Sequence, residues 1–189
     1  NPTLTGKYIT SYDGFAGVRA NIGQVDINYS GFTTLPAPFP VRARLASAAL
    51  EGDNRITGDQ LLIRANSNTV FTPLSNTLNT ANNFFNSRIT LNDTDFNLRT
   101  PNSLNTLGYD GDIIAINNPL NSVLPNNETQ ATLRITSNQD AYFMFFNALN
   151  VEIIEPEIKL VKNVQDIAGN NIAGADVNLG QFLDYVITF

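Results

Sequence analysis

Hydrophobic positions along this chain recur with a period of two residues, which is the period of a β-strand. Short alternating segments are separated by clusters of Asn, Gly, Pro and Asp, the residues that favour turns. In the segment 131–136, apolar residues alternate with Thr and Arg, as in a strand with one buried face. The pattern predicts strands at 7–13, 24–32, 41–50, 60–65, 87–91, 112–117, 130–137 and 142–154.

The predicted strands follow one another without helical segments between them. We therefore expect an all-β fold, an antiparallel β-sandwich or jelly roll. The segment 141–146 is apolar at every position, which predicts a strand at the centre of a sheet. Asn-rich stretches at 66–86 and 97–105 predict long ordered loops.

The pattern changes near Glu155-Pro156-Glu157, which predicts a domain boundary between 1–154 and 155–189. The second part is the start of a small β domain, and about 35 residues are too few to form a core alone. It must pack on the first domain, be completed by further residues, or exchange a strand with another copy. Because the last predicted strand runs to Phe189, we expect the parent protein to continue.

The composition removes several kinds of chemistry. With 0 His and 0 Cys, the chain has no Ser-His-Asp triad, no thiolate nucleophile and no His- or Cys-ligated metal or haem. Charged residues make up only 15%, and 27 Asn residues supply polarity instead. We expect a protein that is not an enzyme.

The charge of the chain limits its partners. A net charge of -6 and a pI near 4.5 argue against binding to nucleic acids or anionic lipids. No apolar window is long enough to span a bilayer, so we expect no direct membrane insertion.

Clustered acidic residues are the best candidates for a binding site. Glu51, Asp53 and Asp59 lie in one predicted turn region, and Asp110 and Asp112 flank Gly111. Calcium takes six to eight oxygen ligands, which carboxylates on tight turns can supply, so these five side chains are candidate Ca²⁺ ligands. Their spacing does not match that of an EF-hand loop.

Two other interpretations of the acidic residues remain. Asp and Asn commonly cap turns through hydrogen bonds to the backbone, without any ligand. A carboxylate pair can also hydrolyse glycosidic bonds, but glycan clefts are usually walled by aromatic platforms and the chain has 0 Trp.

Aromatic residues and Asn-rich loops are candidates for sugar contacts. Aromatic rings can stack on sugars, although most of those in a sandwich fill the core, and Asn amides can bind sugar hydroxyls. The aromatic candidates are Tyr8, Tyr12, Phe15, Tyr29, Phe32, Phe39, Tyr109 and Tyr142.

The tail contains three recognisable segments: Ile158-Lys159-Leu160-Val161-Lys162, Ala168-Gly169-Asn170, and 179–189 with its G-x-x-L-x-Y-x-I-T strand. On these segments it resembles the start of an immunoglobulin-like repeat of bacterial surface proteins, of the type catalogued as domain of unknown function eleven. The first domain carries the motifs YDGF at 12–15, LEGD at 50–53, TGD at 57–59, NNFFNS at 82–87 and LGYD at 107–110. With these motifs it resembles a module that precedes such repeats.

These resemblances imply a long extracellular, cell-surface adhesin of the kind found in gliding Bacteroidetes that use type IX secretion. We therefore expect a non-catalytic structural and adhesive module that attaches to surfaces or polysaccharide and has neighbouring domains in the same chain. The alternatives are a calcium-assisted carbohydrate-binding module and a filament subunit that donates a strand.

Some bacterial surface β domains are crosslinked by a Lys–Asn isopeptide bond, which needs a buried Lys and a nearby carboxylate. Lys159 or Lys162 would be the lysine and Asp184 the carboxylate. The alternative is that both lysines are simply exposed to solvent.

Overall fold

A computed structural model describes residues 6–20, 22–154 and 161–188, and the chain divides into two compact units, Asn1–Ile154 and Glu155–Phe189. The described residues form strands and one short 3-10 turn, Pro119–Asn121, and they contain no α-helix. No helix within these ranges is long and apolar enough to cross a membrane.

Two sheets make up the first unit. The five-stranded sheet has the order β1-β9-β3-β7-β6, and the four-stranded sheet has the order β2-β8-β4-β5. The strands of the larger sheet are β1 (Lys7–Val18), β3 (Ala43–Leu50), β6 (Ile89–Leu91), β7 (Tyr109–Ala115) and β9 (Tyr142–Glu152). Those of the smaller sheet are β2 (Gln24–Tyr29), β4 (Gln60–Ala65), β5 (Thr72–Pro73) and β8 (Ala131–Thr136).

The strands alternate between a buried and a solvent-facing side, as the period of two predicts. In β4 and β8, every second residue is buried, and Leu61, Ile63, Leu133 and Ile135 have no exposed surface. Leu45 and Leu149 face them from the five-stranded sheet within one core cluster. The structure is therefore an antiparallel β-sandwich, as the sequence predicted, with a single core between the sheets.

All eight predicted strands are present, most of them a few residues shorter than predicted, and β5 is an additional strand of two residues. β1 continues past residue 13 through a bulge between Asp13 and Ala16 and ends at Val18. β7 begins at Tyr109 rather than at residue 112, so Asp110, expected just before the strand, lies inside it together with Asp112. β6 pairs with β7 in parallel, whereas the other strand pairs are antiparallel.

The two sheets are joined by a buried hydrogen bond. The Tyr29 hydroxyl on β2 donates to Asn147 Oδ1 on β9, and both residues are buried. We expect Tyr29→Phe to lower the free energy of unfolding by about 1–2 kcal/mol, because it leaves the buried Asn147 oxygen without a donor. Chemical denaturation measures this loss. Tyr12→Phe is the matched control, since the Tyr12 hydroxyl bonds the exposed Asn28 carbonyl at 2.6 Å; an equal loss there would contradict the assignment.

The second unit contains one antiparallel hairpin. Its strands are β10 (Val161–Gln165) and β11 (Asp184–Thr188), with Val161 opposite Thr188 and Gln165 opposite Asp184. The Asp166 carboxylate accepts hydrogen bonds from the backbone N–H groups of Ala168 and Asn170, which fixes the turn after β10.

Candidate functional site

Three of the five predicted calcium ligands are buried. Asp110 and Asp112 lie on the inner face of β7, at the same parity as the core residue Ile114, and Asp59 immediately precedes β4. Asp59 and Asp110 have no exposed surface, and Asp112 is 2% exposed. These three residues form the buried acidic group discussed below.

The loop that follows β5 covers the buried acidic group with backbone and hydroxyl donors. Asp59 Oδ2 accepts from the Phe85 N–H at 2.8 Å, and Asp110 Oδ1 accepts from the Arg88 N–H at 3.2 Å. Asp112 Oδ1 lies 2.7 Å from the Thr90 hydroxyl. Each carboxyl thus has one bonded oxygen, while Asp59 Oδ1, Asp110 Oδ2 and Asp112 Oδ2 are buried without a partner.

Burial raises the pKa of each of these carboxyls. Desolvation raises the pKa of Asp110 to about 8, and the charges of Asp112 and Asp59 add to the rise. Desolvation likewise raises the pKa of Asp59 and that of Asp112 to about 6 each. At neutral pH, Asp110 is therefore largely uncharged.

The contacts of Thr90 give independent support for a proton on Asp112. The Thr90 hydroxyl lies 2.9 Å from Asn79 Oδ1 and 2.7 Å from Asp112 Oδ1, yet it has only one hydrogen to donate. Asn79 is oriented by its amide nitrogen, which donates to the Phe84 carbonyl at 3.1 Å. Both Thr90 contacts are hydrogen bonds when the Asp112 carboxyl donates to the hydroxyl.

Glu51 and Asp53, the other two predicted ligands, lie on the surface. They line an open cavity of about 400 Å³ together with Arg55 and Asn105. The Asp53 N–H donates to the buried Asp140 at 3.1 Å. Within the described ranges, no three acidic side chains are placed to share one metal ion.

The aromatic candidates divide between core and surface. Tyr29, Phe32 and Tyr142 are buried in the core, and Tyr12 packs against it with its ring 5.3 Å from that of Tyr29. Four others are between 39% and 72% exposed, namely Tyr8, Phe15, Phe39 and Tyr109.

Apolar side chains occupy much of the outer side of the five-stranded sheet, which also carries Asp13 at its edge and Arg44 and Asn150 toward one end. Eight side chains from its five strands, each 36–72% exposed, define this apolar face: Ile9, Phe15, Leu50, Leu91, Tyr109, Ile113, Phe143 and Phe146. The register places Ser11, Ala46, Ala48 and Ala148 between them, and these small side chains keep the centre of the face flat. Sequence reasoning noted only Phe15 and Tyr109 here, although the all-apolar segment 141–146 signalled a second apolar side.

The outer side of the four-stranded sheet is polar instead. In one row across it, Asn28, Thr132 and Arg64 lie side by side on β2, β8 and β4. The neighbouring row contains Asp26 and Arg134. Nothing in the linear sequence marks these residues as a group.

In the second unit, Lys162 is exposed and its ammonium lies 4.4 Å from the centre of the Tyr185 ring. Asp184 lies on the partner strand, opposite Gln165 rather than Lys162. Lys159 is outside the described residues. The isopeptide bond and the strand exchange stay predictions.

Comparisons with family models, with characterised proteins and with solved structures gave no match to this chain.

Proposed function

We propose that this chain is a non-catalytic structural and adhesive module of a long secreted cell-surface protein, which attaches to surfaces or polysaccharide. The observation that carries the proposal is the apolar face. Contiguous exposed apolar patches larger than a few hundred Å² are rare on soluble proteins, and they mark places where something binds.

The shape of the apolar face suits a flat partner. Large side chains surround a centre of Ala and Ser, so the centre of the face is flat. A cavity of about 240 Å³ opens beside Phe15 at the edge of the face. Phe15 and Phe143 stack with ring centres 5.9 Å apart at one end. An extended apolar surface can bury all of these side chains at once, at roughly 25 cal/mol per Å² of apolar area.

A sandwich of hydrogen-bonded strands is also suited to carrying tension between a cell and its substratum. The resemblance of residues 158–189 to immunoglobulin-like surface repeats supports the same role, since such repeats occur in tandem in long secreted proteins.

The apolar face is tested by removing two of its most exposed side chains. We expect Ile9→Thr with Phe15→Thr to reduce adsorption to an alkyl-coated surface several-fold, because the two are 66% and 72% exposed at the edge strand. Quartz-crystal microbalance or surface plasmon resonance measures the adsorbed mass.

The control carries the same kind of substitutions in loops. Val70 and Leu98 are 72% and 85% exposed, and neither lies on the apolar face. Val70→Thr with Leu98→Thr should adsorb like the unmodified chain. If both double variants lose adsorption equally, general hydrophobicity and not the apolar face mediates attachment.

A calcium-assisted carbohydrate-binding module is the second candidate. It is favoured by the buried carboxyl oxygens of Asp59, Asp110 and Asp112 that have no partner. The three side chains are not placed to share one ion, but a cation bound to one or two of the carboxylates is one way to neutralise them. Protons on the carboxyls are the other, and the two are separated experimentally below.

A further inference from the structure

We propose that the cavity beside Arg64, on the four-stranded sheet, binds a carboxylated sugar of an acidic polysaccharide. The cavity has a volume of about 440 Å³. Its polar lining consists of Asn28, Ser30, Arg64, Asn66, Gln130 and Thr132. The inference deepens the polysaccharide part of the proposed function, but it concerns a different sheet from the apolar face.

Charge is the first argument. Two guanidinium groups flank the Phe71 ring, with Arg134 Cζ 3.8 Å and Arg64 Cζ 4.7 Å from its centre. Arg134 is neutralised by Asp26 through two hydrogen bonds of 2.6 and 2.7 Å. Arg64 forms no ion pair within the described residues. The charge of Arg64 also lowers the pKa of Asp26, and one carboxylate shared by two guanidinium groups leaves a net positive charge at this cavity.

The hydrogen-bonding state of Arg64 points the same way. Its Nε is buried without a partner and is out of reach of a ligand, so an anion in the cavity would bind through the two terminal nitrogens. The adjacent Phe71 ring restrains the side chain through a cation–π contact. A guanidinium held in this way is preorganised to pair with a carboxylate through two parallel hydrogen bonds.

The rest of the lining suits a sugar ring. The Thr132 hydroxyl donates to Asn28 Oδ1 at 3.0 Å, so the amide nitrogen of Asn28 is left as a donor. Asn66 and Gln130 add two further side-chain amides, and Ser30 adds a hydroxyl. Amides and hydroxyls both donate and accept, which is the pattern that sugar hydroxyls require. A carboxylate for Arg64 and hydroxyls for the amides together describe a uronic-acid residue.

The test measures binding of the full chain to polygalacturonate by calorimetry or biolayer interferometry. We expect saturable binding that falls at least tenfold in Arg64→Gln and that Arg64→Lys does not restore, since lysine lacks the planar fork. Arg42→Gln is the charge-matched control. Arg42 directly precedes β3, a strand of the other sheet, and its side chain is 72% exposed. It should bind like the unmodified chain.

Two further polymers identify the ligand group. Methyl-esterified polygalacturonate keeps the sugar ring but loses the negative charge, and we expect it to bind at least tenfold more weakly. Equal binding of the ester, or unchanged binding by Arg64→Gln, would overturn the proposal. Dextran sulfate binding as tightly as polygalacturonate would overturn the assignment of a carboxylate. None of these outcomes alters adsorption through the apolar face, so the two proposals fail separately.

Discussion

Raising the pH from 5 to 8 in the presence of EDTA will destabilise the first unit by on the order of 5 kcal/mol. The cause is the buried acidic group, whose pKa values in the folded chain are about 6 for Asp59, about 8 for Asp110 and about 6 for Asp112. Unfolded aspartates titrate near 3.9, so the folded state holds more protons between these limits.

Because the folded state binds more protons than the unfolded state, stability falls as the pH rises. The stability contributed by the three protonated carboxyls is complete below pH about 4 and is lost as the pH rises through 6 and then 8. For Glu128 and Asp26, hydrogen bonds lower the pKa, and their contribution is lost only at more acidic pH. Thermal unfolding at pH 5 and pH 8 measures the effect, which corresponds to roughly 10 °C or more in Tm.

Substitution identifies the responsible carboxyl. Asp110→Asn keeps an oxygen for the Arg88 N–H and cannot ionise, so it should flatten the pH dependence and raise stability at pH 8. Asp13→Asn, on the exposed side of β1, is the control and should leave the pH dependence unchanged. A steep dependence in Asp110→Asn would show that other groups carry it.

If calcium binds the buried acidic group, it will offset the loss of stability expected at pH 8. A cation binds the ionised carboxylates, so added Ca²⁺ would then restore stability at pH 8, by about 2.7 kcal/mol at a hundred times its Kd. No shift in Tm with millimolar Ca²⁺ at pH 8 would remove the calcium-assisted alternative and leave protons as the neutralising species.

Gly52→Ala is expected to destabilise the first unit by about 3 kcal/mol or more. A Cβ at position 52 would overlap Asp110 Oδ2 and lie 2.7 Å from the Phe85 carbonyl oxygen. Both atoms are held in place, the first by a fully buried side chain and the second by the backbone. Relief of the overlap therefore requires movement of the loop that covers the buried acidic group.

Gly23→Ala is the matched control for this substitution. A Cβ at position 23 meets no atom within 4 Å, so this variant should unfold within about 0.5 kcal/mol of the unmodified chain. Chemical denaturation compares the two. Equal stability of Gly52→Ala and Gly23→Ala would mean that Gly52 does not pack against Asp110.

Strand positions in this chain are predictable because short runs rich in apolar residues are separated by clusters of turn residues. β4 lies at its predicted bounds, Gln60–Ala65, since Gly58 and Asn66 bracket the run Leu61-Leu62-Ile63. The parallel pairing of β6 with β7 could not be predicted, because a strand of three residues carries no signal for its partner.

The acidic residues show where local interpretation was insufficient. Asp110-Gly111-Asp112 has the composition of a turn, and the sequence predicts that the strand begins only at Asp112. In the segment 109–115, however, both aspartates share the parity of Ile114, and that parity places them on the buried side. The sequence does not identify Arg64 as a binding residue. Its position beside the cavity depends on the pairing of β2, β8 and β4, and it has no ion pair because Asp26 hydrogen-bonds Arg134.

The central claim is that the sandwich adheres through its apolar face on one sheet and through the Arg64 cavity on the other. The detachment force of beads coated with the full chain tests it most directly. The surfaces are an alkyl monolayer and a polygalacturonate film. We expect Ile9→Thr with Phe15→Thr to lose adhesion to the monolayer alone, and Arg64→Gln to lose adhesion to the film alone. Detachment forces equal to those of the unmodified chain, for both variants on both surfaces, would contradict an adhesive role for these two sides.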